Sequence, residues 1–390
     1  MGLEAQSPSL RGLFVCPISA DLPGNRGILN KMESERAALA YLAGHVDVVS
    51  SGTRGPLLGG ERFADYPLRA GALSPVNHYF LFYRYVWRHC RPFEYDFLYV
   101  RYPLALPSLL AFLRAAKRAR PSLKIILEVP TFPYRSELRT PKQRVLLALD
   151  DLGHGQLHRY VDLVVTFFGQ NEIYGIPCFR TENGIDVNRI RLAKNTRGDA
   201  DTVKMIAVAN LARWHGLDRI LRGVALYERL QNHPRVNLDI VGDGPVAGEL
   251  RTLVEELGLG ESVSFHGTQS GEALDTLFDE ADVAVGSLGM HRIDLARSSS
   301  LKSREYCARG LPFVLASEDP DFPEGTPFIH RVESDESVVD VSAIVSFFHS
   351  LEEELPDYSR EMREYAEERL TWRAKLAPVI EYVRTGVLPP

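Results

Sequence analysis

Three short stretches of this 390-residue sequence hold residue types that can do chemistry. Pro23-Gly24-Asn25-Arg26-Gly27 stands where an apolar strand pattern gives way to a helical one. Backbone N–H groups and the positive end of a helix dipole can meet an anion there, although two glycines also suit a plain tight turn. Ser298-Ser299-Ser300 precedes a second helical stretch. Its hydroxyls and N–H groups can serve a sugar or a phosphate, or simply cap the helix. Asp319-Pro320-Asp321 has the letters of a chelating pair but lies in a proline-rich loop beyond that helix and the strand after it, so no metal is expected. The four cysteines, Cys16, Cys90, Cys178 and Cys307, have no short paired spacing and suggest neither a zinc knuckle nor a disulfide framework.

The elements that must carry these stretches follow from hydrophobic periodicity. Gly12–Ile18 reads as a buried strand, and Ile28, Met32, Leu39 and Leu42 form one face of a helix before a strand at Val46–Ser50. The same strand, loop, helix order recurs through Phe97–Arg101, Leu104–Ala119, Lys124–Val129 and Val161–Phe167. Arg189–Thr202 loses the pattern and reads as a linker. Beyond it, strands at Val203–Ala209, Val236–Val241, Val263–Phe265, Ala281–Ser287 and Pro312–Ala316 alternate with helical stretches, and the last 50 residues read as mostly helical. Two doubly wound, parallel-sheet α/β domains facing a cleft are expected, with ligands at the carboxyl ends of the strands.

A composition of 45% hydrophobic and 25% charged residues excludes disorder and fibres. No apolar run approaches the roughly 18–20 residues that span a bilayer, and MGLEAQSPSLRG lacks the pattern of a secretory leader, so a cytoplasmic location is expected. The charge is uneven. Residues 1–200 carry 26 Lys+Arg against 18 Asp+Glu, whereas residues 201–390 carry 19 against 33. An anionic partner for the first half, or solvated faces with no partner at all, would each account for this.

Several segments together resemble the GT-B glycosyltransferases of family four, of the bacterial surface-polysaccharide type. Ala209-Asn210-Leu211-Ala212-Arg213-Trp214-His215-Gly216 is similar in position and glycine ending to that family's G-R-L-x-x-x-K-G segment. Asp239-Ile240-Val241-Gly242-Asp243-Gly244-Pro245 resembles its G-x-G-P turn, and Val263-Ser264-Phe265-His266-Gly267 its short strand before the base pocket. Glu305 to Pro312 (EYCARGLP) resembles its glutamate helix and G-L-P ending. Glu128-Val129-Pro130-Thr131-Phe132-Pro133-Tyr134 is similar to E-I-P-T-Y-P-Y, and Asn183-Gly184-Ile185-Asp186 to the N-G-I-D before the interdomain linker.

The resemblance implies an acceptor-side domain over 1–195, a nucleotide-sugar domain over 196–365, and a C-terminal helix over 366–390 that returns to the first domain. It implies that Glu305 accepts hydrogen bonds from the ribose hydroxyls, with Ser299, Ser300, Leu301, Asn210, Gly242 and Arg297 also lining the donor. The competing reading of Glu305 is a helix-surface carboxylate paired with Arg304 or Arg309. Departures from the family pattern fall at Asn210 and His215, where its diphosphate-binding Arg and Lys stand, and at Arg297, which replaces its first glutamate. Arg213, Lys302 and a protonated His215 are therefore the expected catalytic cations. Trp214 is expected to be a packing residue, and His291-Arg292 to contact donor or acceptor. Gly24, Asn25, Gly27, Glu128 and Thr131 are expected on the acceptor or phosphate side, with an anchoring role as the alternative for Glu128.

The function so implied is retaining transfer of a hexosyl group from a nucleoside diphosphate sugar to a glycan or lipid-linked hydroxyl acceptor, with no cofactor, no metal and no nucleic acid. A catalytically silent binder of the same fold and a sugar-nucleotide epimerase are the rivals. Leu104–Arg120, an apolar run ending in Arg114, Lys117, Arg118 and Arg120, suggests peripheral contact of the first domain with an anionic membrane, against a sheet-covering helix whose basic end is merely solvated.

Overall fold

The computed structural model describes residues 9–22, 25–67, 80–134, 141–167, 169–194 and 201–388. The chain divides into two compact units, Met1–Glu182 with Trp372–Pro390, and Asn183–Thr371.

The first unit is built on nine strands: β1 (Leu10–Ser19), β2 (Gly44–Ser51), β3 (Leu57–Leu58), β4 (Glu61–Arg62), β5 (Phe97–Arg101), β6 (Lys124–Val129), β7 (Leu163–Thr166), β8 (Glu172–Ile173) and β9 (Ile176–Arg180). Their order is β4-β3-β2-β1-β5-β6-β7-β9-β8, and only the two-residue strands β3, β4 and β8 run antiparallel to their neighbours. The near-continuous apolar runs of β1, β5 and β6 are what a parallel sheet covered on both faces requires. The helix Pro107–Ala119 starts at its proline, later than periodicity alone suggests, because proline suits the first helical position. Leu109, Phe112, Leu113 and Ala116 face the core. The helix Trp372–Thr385 belongs to this unit, where Trp372, Leu376, Val379 and Ile380 pack with Met32 and Leu39 of the helix Arg26–Ala43.

The second unit holds six parallel strands: β10 (Thr202–Val208), β11 (Arg235–Val241), β12 (Val263–Gly267), β13 (Val283–Val285), β14 (Phe313–Leu315) and β15 (Ile329–Arg331). Their order, β12-β11-β10-β13-β14-β15, reverses direction between β10 and β13, which opens a crevice at the carboxyl ends of those two strands. The chain enters this unit at Asn183, ahead of the polar stretch that reads as a linker. Polar residues are the reason, because here they are bonded rather than solvated. Ile185 N–H donates to the Leu370 carbonyl at 2.8 Å, Arg363 donates to the carbonyls of Val187 and Ile190, and Arg191 grips Asp279 at 2.8 and 2.6 Å.

Four charged side chains meet inside the first unit. Arg101 Nη1 donates to Glu128 Oε1 at 2.8 Å, while Lys31 Nζ lies 3.5 Å from Glu35 Oε1, 3.8 Å from Glu128 Oε1 and 3.8 Å from the Phe167 ring centroid. Both carboxylates are fully buried, so Glu128 anchors the end of β6 instead of facing an acceptor. Burial, with the Glu128 charge beside it, pushes the Glu35 carboxyl up to about 8. Arg101 and Lys31 oppose that shift, and Cys16 and Tyr99 complete the surroundings. A carboxyl raised on folding stabilises the fold most below its ordinary range near 4.5, and that contribution fades as pH rises toward 8. Glu35→Gln is therefore expected to flatten the fall in Tm between pH 5 and 8.5 and to melt several degrees above the parent at pH 8.5, as read by calorimetry.

Candidate functional site

The crevice between β10 and β13 is shaped by two places where backbones touch. After β10 the chain runs beside the turn that follows β11, with Ala209 N–H donating to the Val241 carbonyl at 2.9 Å and Leu211 N–H to that of Asp243 at 2.8 Å. Gly242, at φ 125°, lies so close that a Cβ there would sit 1.8 Å from the Ala209 carbonyl oxygen. Arg213–His215 then forms a single tight turn. Leu288 N–H donates to the His215 carbonyl at 2.9 Å and Gly289 N–H to that of Trp214 at 3.2 Å, stapling the turn to the loop after β13. Gly216, at φ 63°, ends the turn, and a Cβ there would lie 2.7 Å from Gly289 N.

His215 is buried, and its Nδ1 accepts the Ala212 N–H at 3.1 Å. Burial, reinforced by the charge of Lys302, lowers its pKa to about 4. The ring is thus neutral at pH 7 with its proton on Nε2, so it is a hydrogen-bond donor and not the cation expected of it. Lys302 sits in the first turn of the helix Leu301–Ala308 and forms no ion pair among the described residues. Burial lowers its pKa to about 8.

The serines that precede this helix are used by the fold. Ser300 is its cap, with Oγ accepting the Ser303 N–H at 3.2 Å, while Ser299 Oγ accepts the Asn183 N–H at 2.9 Å. Leu301 is exposed beside them. Glu305, 31% exposed, gives Oε1 to Arg309, which reaches it from Nε at 3.0 Å and Nη2 at 2.9 Å. Oε2 has no partner among the described residues. The i, i+4 spacing was the signal for that pair. Arg304 takes no part in it. Fully buried, Arg304 binds both Asp319 and Asp321 and donates to the Asn183 carbonyl at 3.1 Å, so both carboxylates of the Asp-Pro-Asp letters are committed.

Each of the remaining expected residues lies within one or the other unit. Arg213, 77% exposed, turns to Glu249 at 3.7 Å. Trp214 is 41% exposed and lines an open hollow with Arg213 and Glu249, so it is not a packing residue. Arg292 is held by Asp218 at 2.7 and 2.8 Å and by Glu336, which also accepts from His291 at 2.8 Å. This pair braces the turn, since Arg292 Nη1 donates to the Arg213 carbonyl at 2.9 Å. Asn210 is exposed, with its Oδ1 against Gly244. Arg297 pairs through its backbone with Glu318. In the first unit, Asn25 donates from Nδ2 to the Ser19 carbonyl at 2.8 Å, Gly27 lies in the first turn of the helix Arg26–Ala43, and Thr131 follows β6. Gly24 lies outside the described residues.

Residues 189–324, all within the second unit, match the family model described as glycosyl transferases group 1. No curated protein matches the sequence. Among solved structures, a glycosyltransferase from Rickettsia africae is similar at TM-score 0.61 and 11% identity, over 97% of this chain and 98% of its own. HepE from Anabaena, in complex with UDP and glucose, is similar at TM-score 0.52 and 15% identity, over 96% and 99%. Sucrose-phosphate synthase from Thermosynechococcus elongatus is similar at TM-score 0.56 and 15% identity, over 96% and 98%. The chain has the GT-B fold of these structures, and residues 189–324 of its second unit match the group 1 glycosyl transferase model.

Proposed function

We propose that this protein is a retaining hexosyltransferase that takes its sugar from a nucleoside diphosphate sugar and passes it to a hydroxyl of a growing surface glycan. The observation that carries the reading is Lys302, a partly buried ammonium that forms no ion pair among the described residues, near enough to His215 for its charge to lower that ring's pKa and one helical turn before Glu305, which keeps one oxygen open. An unpaired buried cation at a strand-order switch point is costly unless an anion completes it. A departing diphosphate is such an anion. Lys302 and the Nε2–H of His215 would meet the charge that develops as the bond from sugar C1 to phosphate oxygen breaks. The acceptor hydroxyl attacks C1 from the same face, and its proton passes to the leaving phosphate. Glu305 Oε2 would accept from the ribose. HepE, with UDP and glucose bound, offers a precedent in the same fold for the ligand class. Asp319 and Asp321 are already bound by Arg304, which favours a reaction independent of divalent metal.

Incubation with a panel of sugar nucleotides, following nucleoside diphosphate release with and without acceptor, tests the activity. A changed sugar without acceptor would mean an epimerase, and no release a silent binder. Lys302→Gln is expected to lower kcat by on the order of 10², more than it weakens donor binding, whereas Arg213→Ala turns over near the parental rate and a chelator changes nothing. Because the anion binds the protonated amine, nucleotide affinity should fall as pH rises through about 8, and Lys302→Arg should remove that fall. Parental turnover in Lys302→Gln would refute the assignment.

The acceptor is proposed to be lipid-linked and met at an anionic membrane surface. No helix among the described residues is long and apolar enough to cross a membrane. Two of the four basic residues expected at that surface are engaged elsewhere. Lys117 is held by Asp162 at 2.7 Å and Arg120 by Asp96 at 2.9 Å. Arg114 and Arg118 remain exposed, along a groove of about 910 Å³ floored by Ala111 and Ala115 and walled by Leu110, Leu149 and Leu152. Sedimentation with anionic vesicles is expected at low salt and not at high salt, and Arg114→Glu with Arg118→Glu should abolish it while Lys117→Gln leaves it intact. Binding that survives the double reversal would remove the membrane contact.

A further inference from the structure

Glu305 belongs to a chain of ion pairs that no ligand is needed to complete. Arg309, one turn further along, is only 7% exposed, with its guanidinium carbon 4.1 Å from the Phe278 ring centroid. Its Nε and Nη2 both donate to the same Glu305 oxygen, Oε1, and its Nη1 donates to Asp275 Oδ1 at 2.8 Å. Asp275 is held in turn by Arg191 at 3.4 Å, and the Arg309 carbonyl accepts the Ala193 N–H at 2.9 Å. The arginine is thus fixed at its head, its ring contact and its backbone.

A carboxylate oxygen offers two lone-pair sites, and both sites of Oε1 are filled by one rigid planar fork. The carboxylate plane is therefore set before any nucleotide arrives, and a single oxygen is left open. Resting on the reading of Glu305 as the ribose carboxylate, we infer that Arg309 is a positioning residue: it saturates Oε1, so that both hydroxyls of the ribose converge on Oε2 alone. Lysine cannot substitute, because a rotating ammonium presents no fork to hold the plane. Asp275 acts one step further out by fixing the fork.

Calorimetric Kd values for UDP and 2′,3′-dideoxy-UDP, with the GDP pair in parallel, test this through the ribo-to-dideoxy ratio, which a purely structural role for Arg309 would not move. The parent is expected to favour the ribonucleotide at least tenfold, as for hydrogen bonds to a charged group. Arg309→Lys should shrink that preference about tenfold while leaving dideoxy affinity unchanged, and should add nothing once Glu305→Gln is present. Asp275→Asn should shrink it in the same direction by less, and decides the matter alone if Arg309→Lys fails to melt cooperatively. A ratio unchanged in these variants, with Glu305→Gln still abolishing it, overturns the role of Arg309. A ratio that Glu305→Gln leaves intact instead overturns the ribose reading on which it rests.

Discussion

At the head of the second sheet, main chain lies against main chain where no side chain fits. Gly242 abuts the Ala209 carbonyl and Gly216 abuts the backbone of residues 288–289. Much of the candidate site depends on this closeness. The loops after β10, β11 and β13 are drawn into one layer, so the Arg213–His215 turn has its carbonyls taken by Leu288 and Gly289 before any ligand is considered. Once the turn is fixed, His215 must spend Nδ1 on the Ala212 N–H, and its charge is forfeited to burial. Lys302 is then the cation left beside it: its pKa, lowered by burial to about 8, still leaves the amine mostly protonated at pH 7, and it forms no ion pair among the described residues.

Buried charges are handled in two ways in this protein. Arg304 is surrounded by acceptors, Asp319, Asp321 and two backbone carbonyls, and its contribution is to hold the serine segment and the proline-rich loop in place. Arg101 and Glu128 do the same at the ends of β5 and β6. Lys302 has no such acceptors among the described residues. A folded chain keeps a partly desolvated ammonium at a cost, and the cost is understandable where an anionic ligand repays it.

Strand grammar was legible because parallel strands covered on both faces are continuous apolar runs, and Phe97–Arg101 and Lys124–Val129 could be placed to the residue. Arg189–Thr202 reads as a linker because polarity does not say whether a residue meets water or a partner, and Arg191 and Asp279 are distant in sequence; residues 195–200 of that stretch lie outside the described residues. Glu305 is singled out by its resemblance to a family motif, and Lys302 by its place at the start of the same helix. Arg309 was visible only as one of two possible i+4 or i−1 partners, and Asp275, on a different helix, gave no sequence signal. Trp214 was misjudged for the same reason in reverse: aromatic residues are usually buried, and nothing local announced that a tight turn would push this one outward. Arg213 is exposed in the same turn and reaches Glu249, since consecutive residues of one turn cannot all face one way.

The helix Trp372–Thr385 completes the core of the first unit although the second unit separates the two parts in sequence. The second unit is thus an insertion in the first, and it has both of its ends in hand as soon as Thr371 has been made. The first unit does not. During synthesis its sheet must wait, with the surface over Met32 and Leu39 uncovered, until Trp372–Thr385 emerges. The order of completion is the reverse of the order of translation, and the half of the chain made first is the half left longest with an open apolar face.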